Sequence, residues 1–297
     1  MLSVLVTVSR VQAQIVPGTG FRDPDVGDDF EDPEWEFIHN WPKSSREQDG
    51  QERQPFGYSR NGKWFESAKR GHPDYLKRIA TPPGGLPGSK GALLMRSLYT
   101  GIPYAPSFKG NQDDFIIEGT SISVNYSPSV VVRVYLPPWD EWEDRTGTSF
   151  GFRAGVQALV EKKKKSRFPL FRRTSKQWET YWPGIFIQFN SKTDGHPQDS
   201  AVFIIRADER GQDVVGPMIH QTGWWTLGMS FTPDGRVHYY ARPGVQNLRP
   251  SDHIASFWPY GYRCRTFNTF FFNIANRDDG KTWSTPWVID DPYLYYV

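Results

Sequence analysis

From Gly91 onward, apolar residues fall into short runs, many alternating with polar ones, and Gly, Pro, Asn or Asp bounds most runs. That is the pattern of half-buried antiparallel strands. The runs are Ala92–Leu98, Asp114–Glu118, Val130–Leu136, Phe150–Val160, Gly184–Asn190, Ala201–Ala207, Asp213–His220, Trp224–Phe231, Arg236–Arg242, Phe267–Ile274, Ser284–Ile289 and Tyr293–Val297. No long amphipathic helical pattern intervenes. Pro233-Asp234-Gly235 predicts a hairpin turn, because Pro presets φ and Gly accepts positive φ. Asp278-Asp279-Gly280-Lys281 predicts a second turn of similar chemistry. Strands at this pace predict an all-β chain, folded as a two-sheet antiparallel jelly-roll-like β-sandwich.

The N-terminal third breaks the rhythm. Residues 40–87 hold many charges, Gly and Pro, including Pro82-Pro83-Gly84-Gly85, and only scattered aromatics. They predict a long surface loop insertion with a short helix around Pro73–Ile79, and not a second domain. Residues 15–27 predict a linker, and residues 28–297 a single sandwich domain. The opening MLSVLVTVSRVQAQ has a short apolar stretch, Leu2–Val8, and a small-residue pattern at Val11-Gln12-Ala13. Residues 1–14 therefore resemble a truncated signal peptide, without the basic start such peptides carry, and predict export to the periplasm, cell surface or medium.

Composition narrows the function classes. Lys and Arg total 35 against 33 Asp and Glu, a formal charge of +2. A dedicated nucleic-acid binder would show a basic excess. No apolar run is long enough to span a bilayer as a helix. Aromatic residues make up 15% of the chain, with 27 Gly and 24 Pro, which fits an all-β chain rich in turns. Cys264 is the single cysteine, so neither an internal disulfide nor a multi-cysteine metal site can form. It is expected to be a buried, inert thiol.

Three segments resemble the concanavalin A-like lectin/glucanase superfamily, which includes laminin-G-like modules. They are DDFEDPEWEF with the later GALLMRS, the hairpin WWTLGMSFTPDGRVHYYARPG carrying Trp225, Gly235, Val237 and Tyr240, and the closing VIDDPYLYYV. The resemblance covers residues 28–39 and 88–297. It implies a sandwich whose first strand, near residues 30–38, pairs with the last, and a concave sheet that binds polysaccharide. It also implies a structural Ca²⁺ between the first and last strands, with Asp28, Asp29 and Asp291 as the matching acids. No other cofactor is expected.

The E-x-D-x-x-E strand of the superfamily's glycosidases is missing. Glu141 and Glu143 come nearest, but they follow Pro137-Pro138 and belong to a loop. The six histidines show no HxH or HxxxH spacing, and no G-x-S-x-G elbow or P-loop occurs. No catalytic residue is assigned.

Strand parity predicts a binding face, since successive side chains point to opposite sides. With the apolar sets turned inward, Arg153, Gln157, Gln188, Asn190, Arg206, Trp224, His238 and Tyr240 point outward. On one sheet they would form a face of planar polar groups and aromatic rings, which suits sugars. Carboxylates are absent from it, so a general acid would have to come from a loop, with Glu141, Glu143, Glu179 and Asp208 in reach. An enzyme variant would pair His238 and Tyr240 as lyase groups, with Arg153 holding a uronate carboxylate. The basic run from Lys162 to Lys176 predicts an exposed loop that attracts an anionic polymer. The expectation is an exported, non-catalytic binder of carbohydrate or cell-envelope polymer. The alternatives are a polysaccharide hydrolase or lyase, and a structural or protein-interaction module of the envelope.

Overall fold

The computed structural model describes residues 15–102, 112–163 and 174–297. In chain order the strands are β1 (Phe21–Gly27), β2 (Phe37–Ile38), β3 (Tyr58–Ser59), β4 (Trp64–Glu66), β5 (Tyr75–Ile79), β6 (Ala92–Arg96), β7 (Gln112–Ile117), β8 (Ile122–Ser123), β9 (Ser129–Leu136), β10 (Gly147–Lys163), β11 (Thr174–Tyr181), β12 (Gly184–Asn190), β13 (Ser200–Arg206), β14 (Val214–Ile219), β15 (Gly223–Phe231), β16 (Val237–Pro243), β17 (His253–Phe257), β18 (Cys264–Ala275) and β19 (Trp287–Tyr296). Short 3₁₀ turns supply the helical content among the described residues.

The strands form two antiparallel sheets, as the hydrophobic pattern predicts. The smaller, eight-stranded sheet runs β17-β16-β15-β9-β19-β6-β5, with β1 also on β19. The larger, eleven-stranded sheet runs β14-β13-β12-β10-β18-β7-β4-β3-β2, with β11 on β10 and β8 on β18. Alternation decides what lies between them. Phe150, Phe152, Ala154 and Val156 of β10 face Leu227, Met229 and Phe231 of β15 across one apolar core. Sheets packed in this way bury their inner faces completely and leave the outer faces to loops and solvent.

Four expectations change. The strand that pairs with the C-terminal strand is β1, from the stretch expected as linker, with Phe21 opposite Tyr296. The acidic-aromatic stretch after it instead places β2 in the other sheet, where Phe37 lies opposite Ser59. Pro73–Ile79 holds no helix; β5 pairs there with β6, Leu76 opposite Met95. Residues 40–87 are not simply a surface loop, since β3, β4 and β5 extend both sheets. The charge of Glu66 in β4 is hydrogen-bonded in place: it accepts from the backbone N–H of Ser44 and Gly57 and from Asn40 Nδ2. The two C-terminal runs join into β19, whose register slips between Asp290 and Tyr293, with Asp291 at φ 47°. Such a bulge keeps one strand continuous while admitting extra residues.

Candidate binding cleft on the larger sheet

The outer face of the larger sheet carries a cleft of about 500 Å³. Its floor comes from three adjacent strands. β10 contributes Arg153, β18 contributes Thr269 and Phe271, and β7 contributes Asp114 and Ile116. These alternate with core residues such as Phe152, Phe272 and Phe115, so parity alone turns them outward. One wall is the Ser67–Arg70 segment with Glu47; the other holds Trp182 and Arg206.

Arg153 is the central group. It is only 5% exposed. One terminal nitrogen donates to the Trp182 carbonyl at 2.9 Å, and its Nε has no partner among the described residues. Its guanidinium lies 5.4 Å from the Phe186 ring centre and 5.3 Å from that of Phe271. Burial, opposed by Asp114 and reinforced by Arg206 and Arg70, pulls its pKa down to about 10, so it stays charged at neutral pH. An unpaired buried cation is costly, and an anionic ligand repays that cost.

The neighbours add positive charge. Arg70 bonds Glu47 at 2.8 Å and lies 3.9 Å from Asp114. Arg206 makes two bonds to Asp213, at 2.9 and 2.6 Å, and sits over the Phe186 ring at 4.8 Å. Lys69 Nζ sits 4.5 Å from the Trp182 ring centre. The lining thus sets Lys69, Arg70, Arg153 and Arg206 against Glu47 and Asp114. Burial raises the Asp114 pKa, against the pull of Arg70 and Arg153. Its carboxylate accepts from Asn273 Nδ2 at 2.6 Å.

The eight residues predicted by parity do not share a face. Arg153 and Arg206 line the cleft. Gln157, Gln188 and Asn190 lie on the same sheet but outside it; Gln157 bonds Thr180, and Gln188 bonds Asn190. Trp224, His238 and Tyr240 belong to the smaller sheet. They do point away from the core, as parity requires, but that face is roofed. Trp224 packs with Val245, Val288 and Ala92 and donates to the Pro82 carbonyl at 3.3 Å. Tyr240 is fully buried among Val131, Leu248 and Val16. His238 is held between Ser256, at 2.6 Å, and Thr232, at 3.0 Å. A lyase pair of His238 and Tyr240 with Arg153 is therefore excluded, because both sheets and the core between them lie in the way.

The other predicted groups have structural tasks. Asp28 Oδ2 accepts from the indole N–H of Trp35 and Trp64 and from Asn61 Nδ2, at 3.0, 2.9 and 2.9 Å. Its Oδ1 accepts from the Phe30 N–H at 3.1 Å. A carboxylate so committed does not fit as a calcium ligand, and Arg78 Nε takes the nearby Phe30 carbonyl at 2.6 Å. Asp28 therefore does not fit the implied site, and among the described residues no group of three or more His, Cys, Asp or Glu is placed to hold a metal ion. Glu143 is buried and accepts from the Arg277 N–H at 2.6 Å, whereas Glu141 is exposed on a 3₁₀ turn. Of the basic run, residues 164–173 lie outside the described residues; Lys162 pairs with Glu179 at 2.6 Å. Cys264 is buried, and burial pushes its pKa up to about 12.

No family model matches the chain, and no curated protein matches it. Solved structures do. A marine PL7 alginate lyase from Zobellia galactanivorans is 9% identical, with 89% of this chain and 94% of that chain covered at a TM-score of 0.37. An endo-β-1,4-glucuronan lyase from the fungus Trichoderma reesei is 11% identical, with 77% and 94% covered at 0.39. The CBM2 module of the evolved Dit protein of Lactobacillus casei BL23 phage J-1 is 10% identical, with 92% and 95% covered at 0.39. At these scores the chemistry has to be read from the cleft itself.

The parity reading missed Glu47, Ser67–Arg70 and Asp114. The first five sit in the stretch taken for a surface loop. Asp114 had a signal: a carboxylate beside Phe115 in an apolar strand, with the parity of the outer face.

Proposed function

We propose that the chain binds an acidic polysaccharide in the cleft on the larger sheet. The observation that carries this reading is the buried, unpaired Nε of Arg153, set between two aromatic rings at the floor of an open, net-cationic cleft. A guanidinium fork matches the two oxygens of a carboxylate or sulfate. Trp182 is 37% exposed and offers a ring face on which a sugar can stack. Asp114, with Asn273 behind it, offers hydrogen-bond acceptors for hydroxyls. Recognition without bond cleavage is the simpler reading, because among the described residues the lining holds no histidine or tyrosine, and its carboxylates, Glu47 and Asp114, both face Arg70.

Calorimetry with oligouronates, sulfated oligosaccharides and neutral glucans tests it. Binding to an acidic class is expected. Arg153→Lys, which keeps charge but loses the fork, should weaken it at least about tenfold, as should Trp182→Ala. Equal binding of neutral glucans, or unchanged affinity in both variants, would refute the reading. Unsaturated, ultraviolet-absorbing sugar ends would show a lyase instead.

A further inference from the structure

Lys43 is a long cation buried completely, beside the equally buried Ser44 and Ser45. Its Nζ lies 2.7 Å from Asp113 Oδ2 and 2.9 Å from Asp74 Oδ1, and the side chains of Lys43 and Asp113 are both 0% exposed. It also reaches the His72 carbonyl at 3.0 Å and the Tyr99 carbonyl at 2.5 Å. Four acceptors thus crowd a nitrogen that has three protons to give.

The two carboxylates are held differently. Asp74 Oδ2 accepts from the N–H groups of Leu98 and Tyr99, at 2.6 and 2.7 Å. Asp113 Oδ1 accepts from the Gly101 N–H at 3.0 Å, and its Oδ2 from the Ser97 hydroxyl at 2.6 Å. Burial pushes the Asp113 carboxyl up to about 8, against the pull of Lys43, and Asp74 adds to the rise. Burial pulls the Lys43 ammonium down, and Asp113 and Asp74 more than restore it. Burial thus favours an uncharged Asp113 carboxyl beside the Lys43 ammonium. The nearest further groups do not disturb this balance. His72 is kept neutral by burial, with its pKa near 3, and burial likewise lowers His39.

We propose that Lys43 and Asp113 condense spontaneously into an intramolecular amide bond, with Asp74 as the proton acceptor. Asp74 takes a proton from the Lys43 ammonium. The freed amine attacks Cγ of the protonated Asp113 carboxyl, and the Gly101 N–H receives the charge that develops on Oδ1. The Nζ–Cγ bond forms and the Cγ–Oδ2 bond breaks. Oδ2 leaves as water, carrying its own proton and a second one from nitrogen. The amide keeps one N–H, and Asp74 ends protonated, so charge and atoms balance with no co-reactant. Condensation is unfavourable in open water, but groups held in contact in a dry site reach effective molarities of about 10⁵–10⁸ M. The bond would tie the segment that walls the cleft to strand β7 in its floor, which fixes Ser67–Arg70 over Arg153. It rests on the trio and not on the ligand reading.

Mass spectrometry of the full-length, denatured protein tests it without any variant. The digest should contain one peptide joining the Lys43 and Asp113 segments, lighter than their sum by one water molecule. Asp113→Asn should give the identical joined product by losing ammonia. Asp113→Ala and Lys43→Met should give separate peptides, and Asp74→Ala should leave the pair unjoined. A water-loss product within a single peptide would be a succinimide and would count against the proposal. Wild-type folded protein with only separate, full-mass peptides would overturn it outright.

Discussion

At the scale of single residues, carboxylates divide by what is presented to them. Asp28 is surrounded by donors, two of them indoles of the core, and so organises the N-terminal aromatic cluster. Asp290 is the opposite case. It accepts from Ser89 at 2.9 Å through Oδ2, while its buried Oδ1 has no partner among the described residues. Burial raises its pKa to about 7, and Asp291 and Glu31 add to the rise. A carboxyl whose folded pKa lies above its ordinary value stabilises the fold while protonated. That stability is fully present below the ordinary carboxylate range and is lost as pH rises through about 7. Asp290→Asn should therefore flatten the fall in stability between about pH 4 and pH 7 and raise stability at pH 8 by about 1–2 kcal/mol. Denaturant titrations of both proteins across that range check it. A variant that is less stable at pH 8 with an unchanged slope would show that Asp290 is not the titrating group.

At the scale of elements, the β15–β16 hairpin shows how a turn sets a register. Gly235 N–H donates to the Thr232 carbonyl at 2.7 Å, and Phe231 lies opposite Val237. Gly235 has φ +81°, and a Cβ there would come within 2.7 Å of Arg263 Cβ and 2.8 Å of the Cys264 nitrogen. Backbone on the far side cannot yield, so strain and clash add. Gly235→Ala should cost about 1–3 kcal/mol, read as a lower Tm with an unchanged β-rich circular dichroism spectrum. The same hairpin explains why its outer face is not a binding surface. Gly228 lies under Leu248 and Pro17, where a Cβ would fall 2.5 and 2.7 Å from their atoms. The chain closes over that face instead of leaving it open.

At the scale of the molecule, a formal charge of only +2 says that binding anions depends on placement and not on total charge. Four cations from three separate stretches of chain converge on one cleft. Their field is partly exposed and is therefore screened by salt, while Arg153 at the floor is shielded. Affinity for an acidic oligosaccharide should fall several-fold between about 0.05 and 0.5 M NaCl and then level off, as the buried contact persists. Calorimetry across that range tests it: salt-independent binding would remove the outer cations from the site, and complete loss would remove the buried contact.

The sequence alone determined most strands from Ala92 onward, though not β8, β11 or β17, the inward and outward sets of β10, β12, β13, β15 and β16, and the turn at Gly235, because period-two alternation and turn chemistry are local. It also determined that Arg153 and Arg206 face outward. Only the tertiary structure decided that Trp224, His238 and Tyr240 lie on the opposite sheet, because parity fixes the face of a strand but not the sheet it joins. The same holds for residues 40–87, whose charges read as solvent-facing. Lys43 and Glu66 are buried there and Asp74 half-buried because partners far along the chain, Asp113 for Lys43 and Ser44 for Glu66 among them, are brought to them by the fold, and pairings of that kind leave no periodic trace in the sequence.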